Sequence, residues 1–141
     1  MTSTINDIRS AIEARIATEM ATSPTYSVSY QNVPFTPDAT DTLPWVQVFI
    51  TLGENRPATL LAASDGFNLQ VGTLVMNIFS PLGKGSGDNF TIAERLKDLF
   101  DRVTVQGVRF DSVSGPRQVP SSLPESFFQT QLTATFEATL D

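Results

Sequence analysis

The sequence predicts an α+β domain, a mostly antiparallel sheet of four to six strands with two helices packed on one face. Two segments repeat apolar residues at helical steps of three and four, one near the start and one around residue 96. Two others are apolar on nearly both faces, and the last alternates between apolar and polar residues over most of its length. A polar face that long belongs to an antiparallel sheet with one solvated side.

The first helix is expected over residues 3–21, where Ile5, Ile8, Ile12, Ile16 and Met20 form one stripe. Thr2 to Thr4 offer capping oxygens, and Asp7 lies in the first turn, where negative charge is favoured. The stripe suits burial on the chain's own sheet better than in a coiled coil, because the helix is single and short. A short strand follows over 25–33, with Tyr26, Val28 and Tyr30 alternating with polar residues. Pro34, Pro37 and Pro44 then make 34–44 an irregular connection.

"WVQVFITL" (45–52) and "NLQVGTLVMNIFS" (68–80) read as interior strands, or as strands with something packed on each side. The connection between them, 53–67, is long for a hairpin. The second helix is expected over about 89–102. Ile92, Ala93, Leu96, Leu99 and Phe100 face inward, and Glu94, Lys97, Asp98 and Asp101 face out. A short strand is placed near 106–113, and Pro116, Pro120 and Pro124 mark an edge or a loop. From 128 to 140, Phe128, Leu132, Ala134, Phe136, Ala138 and Leu140 take one face. With no internal repeat and no linker, residues 1–141 read as a single domain.

Composition excludes more than it proposes. Fifteen acidic residues against nine basic ones give a net charge of −6, which disfavours binding to nucleic acid through a general basic patch. Without cysteine there is no disulfide and no thiolate ligand, and without histidine the commonest base and metal ligand are gone. No run approaches 18 apolar residues, so no membrane span is expected. The first residues show no signal peptide, so the chain is expected in the cytoplasm where it is made.

One stretch resembles a phosphate cradle. "IFSPLGKGSGDNFTIAERLKDLF" (78–100) runs from a strand through three glycines and Lys84 into a helix. A P-loop needs a hydroxyl directly after its lysine, at the start of the helix, and here Gly85 takes that place. The dinucleotide fingerprint fails at the third glycine. The loop therefore reads as a corner, with Asp88 or Asn89 as the helix N-cap. Lys97 sits among Glu94 and Asp98 as a solvated charge, and the acids of "NVPFTPDATD" and "ASDGFN" lack calcium-loop spacing. No catalytic, cofactor-binding or metal residue is expected, and no cofactor.

The order of elements resembles the tail terminators of long-tailed bacteriophages and phage-like particles. The resemblance is carried by "TINDIRSAIEARIATEM", "QNVPFTPD", "LPWVQVFITL", "VMNIFSPLGKGSGD" and "TIAERLKDLF", followed by the amphipathic last strand. It implies a structural virion protein and not an enzyme. Six copies would form a ring that caps the tail tube, ends its polymerisation and joins the tail to the neck of the head. The implied partners are other copies of the chain, the tube protein and a neck or head-completion protein. DNA would pass through the lumen without being bound. The implied location is the head-proximal end of the virion tail, and the host cytoplasm during assembly. The apolar "ATLLAAS" (58–64) matches no general pattern of the family. Residues expected at a subunit or partner interface are Arg56, Leu60, Leu61, Phe67 and Trp45, although strand packing is the ordinary role for Trp45. The alternatives are a tail-tube or head–tail connector subunit, or a nucleotide-dependent enzyme using the glycine loop.

Overall fold

The computed structural model describes residues 4–35, 43–57, 67–83, 85–120 and 127–140. The element order is α1 (Ile5–Met20), β1 (Ser27–Ser29), β2 (Trp45–Pro57), β3 (Asn68–Pro81), α2 (Gly87–Phe100), β4 (Thr104–Val105), β5 (Val108–Val119) and β6 (Phe127–Leu140). The strands make one six-stranded sheet in the order β1-β2-β3-β6-β5-β4. Among the described residues, only the β1–β2 pair is parallel. The expected α+β class, mostly antiparallel with two helices, is the class observed.

Sequence periodicity explains how the layers meet. Ile8, Ile12, Ile16 and Met20 of α1 are buried, and so are Ile92, Ala93, Leu96 and Phe100 of α2. They cluster with alternate residues of the sheet: Val46 and Val48, Leu74, Met76 and Ile78, Leu132, Ala134 and Phe136. Ile5 is the exception in the predicted stripe. It lies 49% exposed in the first turn, where the helix is capped by a reciprocal pair. Thr4 Oγ1 accepts from the Asp7 N–H at 3.1 Å, and Asp7 Oδ2 accepts from the Thr4 N–H at 3.1 Å.

The second helix starts differently from the expectation. It begins at Gly87 with Ser86 as N-cap and no side-chain capping bond. Asn89, expected as a cap, is fully buried and turns into the sheet. Its Nδ2 donates to the Ile78 carbonyl at 3.0 Å and to Thr130 Oγ1 at 3.2 Å, pinning the helix start to a cross-strand pair of β3 and β6.

Three strand boundaries also move. β2 runs past Leu52 to Pro57, so the connection to β3 shortens to residues 58–67. A bulge between Leu52 and Asn55 lets it continue, with Gln70 Nε2 donating to the Gly53 carbonyl at 3.0 Å. The stretch expected as a strand from residue 106 opens with a turn, Gln106 and Gly107 at φ 48° and 85°, which separates β4 from β5. β5 then continues through Pro116 to Val119, and register shifts at Phe110/Val113 and Ser114/Arg117 absorb its irregularity.

Both sides of the sheet are partly closed. Beyond β1, the Ile50 N–H of β2 donates to Gln31 Oε1 at 2.8 Å. On the other side the segment after α2 covers β5: the Arg102 N–H donates to the Asp111 carbonyl, and Phe110 donates to the Val103 carbonyl. Such covering blunts edges that would otherwise template strand addition.

Candidate partner surface

The glycine loop has the geometry of a corner. Gly83 and Gly85 take φ of 87° and 78°, and a Cβ on either would meet nothing within 4 Å. Their role is to reverse the chain, a conformation that glycine adopts without strain. Lys84 lies outside the described residues. Among the described residues, no group of three or more Asp and Glu side chains could hold a metal ion, and no helix is long and apolar enough to cross a membrane.

The face of the sheet turned away from the helices is organised in rows that follow the strand register. In the first row Trp45, Phe79 and Gln129 stand side by side. Trp45 stacks on Phe79 at 4.3 Å between centroids and meets Phe35 at 4.8 Å and Phe127 at 5.9 Å. This is a small second core made by the chain itself, and it explains why β2 and β3 are apolar on both faces at this end.

The second row is polar and continuous. Arg117 donates through a guanidinium nitrogen to Gln131 Oε1 at 3.0 Å. Gln131 Nε2 donates to Asn77 Oδ1 at 3.0 Å, and Asn77 Nδ2 donates to Gln47 Oε1 at 3.2 Å. The chain crosses four strands in one direction, starting at a cation and finishing at the Gln47 amide. Asn77 is only 4% exposed, so its amide needs these partners. The third row is Phe49, Val75, Thr133 and Ser114, in which Phe49 is 38% exposed.

The residues expected at an interface are spread over this scaffold. Trp45 is 6% exposed, stacked within its own chain. Its ring is packed inside its own chain and supports the surface from beneath. Arg56 is exposed near the end of β2, 3.6 Å from Glu54, and Phe67 precedes β3 with 43% of its surface exposed. Leu60 and Leu61 fall outside the described residues.

A family model of phage tail terminator proteins matches residues 7–122. The chain belongs to that family. Sixteen solved chains also match this tail terminator. One of them superposes with a TM-score of 0.67 at 21% identity, over 93% of this chain and 92% of that one, a likeness of fold. No curated protein sequence matches it.

As a tail terminator the chain is a structural protein of the phage tail. Its open face was only half legible beforehand. The alternation in β6 gives the polar side of Gln131, but Gln47, Asn77 and Arg117 come from three other strands and align only once the register is known. No local signal in the sequence announces that row.

Proposed function

We propose that the protein caps the tail tube as a ring, ends tube polymerisation and joins the tail to the neck of the head. The observation that carries this reading is the sheet face opposite the helices. It presents Phe49 beside a polar row whose members are linked by hydrogen bonds to one another. A face prepared in this way can be buried against protein without stranding polar groups. Six copies, the tube protein and a neck protein are the proposed partners, at the head-proximal end of the virion tail after assembly in the host cytoplasm. The net charge of −6 suits a lumen through which DNA slides without being held.

Electron microscopy of the purified protein tests this reading, together with tail assembly in phage lacking it. Single rings, and tails of uncontrolled length in its absence, are the expected results. Filaments of the purified protein would favour a tube subunit instead.

A further inference from the structure

Within the ring reading, on which this inference rests, we propose that the open sheet face of one copy docks on the outer face of α2 of the next. The two surfaces complement one another in both apolar and charged groups. The sheet face offers exposed Phe49 and, at the end of the polar row, exposed Arg117. Arg117 forms no ion pair among the described residues, whereas Arg109 on the same sheet is paired with Glu137.

The outer face of α2 offers the counterparts. Phe90 is 48% exposed, and Asp88, Glu94, Lys97 and Asp98 are exposed along the same helix. None of these three acids forms an ion pair among the described residues. An apolar ring and unpaired acids on one surface therefore meet, on the other, an apolar ring and, across β3 and β6 at the far end of the neighbouring row, an unpaired cation.

The two surfaces lie on opposite sides of one subunit, since α2 covers the sheet face that Phe49 avoids. A contact between unlike faces is heterologous, and a heterologous contact closes into a ring when its rotation allows. The polar row suits burial here. Its internal bonds use one N–H of Gln131 and one of Asn77, so the donors left for acceptors on the neighbour include Arg117, the Gln47 amide and the second N–H of each of those two amides.

The absence of cysteine gives a clean test. Phe49→Cys and Phe90→Cys are introduced singly and together, and the assembled protein is treated with a short bis-maleimide. Opposite placement prevents a link within one chain. The double variant should give a covalent ladder up to the ring, the single variants none, and an equal mixture of the singles a dimer. Rings seen by microscopy without a ladder would overturn the proposed interface and leave the ring intact. Links in Phe49→Cys alone would overturn it in favour of face-to-face packing. Neither rings nor ladder in the double variant and the wild type would overturn both the interface and the ring. As a second measurement, Arg117→Glu should raise the concentration needed for assembly by about tenfold or more, with recovery on adding Asp98→Arg or Glu94→Arg. Unchanged assembly of Arg117→Glu would count against the contact.

Discussion

Phe136 of β6 lays its ring directly over Gly72, its cross-strand partner on β3. A Cβ on Gly72 would stand 2.4 Å from the ring Cζ and 2.9 Å from the backbone oxygen of Thr51. Phe136 is 1% exposed and packs in turn on Phe110 at 5.5 Å and beside the rest of the core. The glycine is thus a place for a ring, and the sheet is shaped around that vacancy.

Gly72→Ala should therefore destabilise the fold by about 1–3 kcal/mol, as overpacking does, because the Thr51 carbonyl belongs to the ladder and cannot withdraw. Combining it with Phe136→Leu should cost less than the sum of the two single changes. Denaturant melts of the four proteins measure the coupling. Strict additivity would show that the two residues do not compete for one space.

Arg95 ties the two helices together. Its Nε meets Glu19 Oε2 at 2.9 Å, and its two terminal nitrogens donate to the carbonyls of Pro24 at 2.9 Å and Glu19 at 2.6 Å. It thereby adds a charged donor to the C-terminal end of α1, where the Glu19 carbonyl also accepts from the Thr22 N–H and hydroxyl. Arg95→Ala should cost about 1.5–3 kcal/mol, as loss of charged hydrogen bonds does. Arg95→Lys should recover only part of it, since an ammonium cannot span that fork of acceptors. Thermal melting of the three proteins checks the order, and a lysine variant as stable as wild type would refute the fork.

Residues such as Arg95 mark the limit of what the sequence shows. The stripes of α1, α2 and β6 were legible because each obeys one period within one element. The bulges that extend β2 and β5 were not, because bonds from distant residues hold them. Gln70 reaches back across to Gly53, and Asp101 reaches across to Val113. Likewise Asn89 looked like a cap, since its partners Ile78 and Thr130 lie on strands that only the fold brings beneath it. For the interface residues, exposure of Arg56 could be expected from its place near a prolyl strand end, whereas burial of Trp45 depends on Phe35, Phe79 and Phe127 converging from three segments.

Asp101 gives the fold a dependence on acid. Its Oδ1 accepts the Val113 N–H at 2.8 Å, and this bond holds the carboxyl below its ordinary pKa of 3.8, with Arg102 and Lys97 adding to the effect against some loss of solvation. A depressed pKa means stability that is present above the unfolded value, about 3.9, and lost as pH falls through the folded one. Wild type should melt above Asp101→Asn at pH 7, with the gap constant down to about pH 4 and narrowing below it. A gap independent of pH would show that the charge on Asp101 contributes nothing.

The glycine corner makes its own prediction. Lys84→Ala should leave folding and assembly intact, and ATP or GTP with magnesium should not raise the melting temperature. The open space around Gly83 and Gly85 and the missing hydroxyl after Lys84 motivate this. A shift of several degrees at millimolar nucleotide, abolished by Lys84→Ala, would establish a nucleotide site.

In sequence, Leu60 and Leu61 fall within residues 58–66, between the end of β2 and the start of β3. Arg56 and Phe67 stand exposed on either side of that connection. Two leucines are each worth roughly 1.5–3 kcal/mol when fully buried, so they favour a site that removes them from water. One such site is the chain's own sheet, and the other is a neighbouring subunit or the end of the tube. Replacing 58–66 with a short Asn-Gly turn separates them, because Pro57 and Asn68 are already paired across the two strands. As a partner surface, the loop should be dispensable for cooperative melting but needed for tail termination in a complementation assay. A shortened protein that no longer folds would place the leucines on their own sheet. One that folds and still terminates tails would remove the loop from the interface altogether.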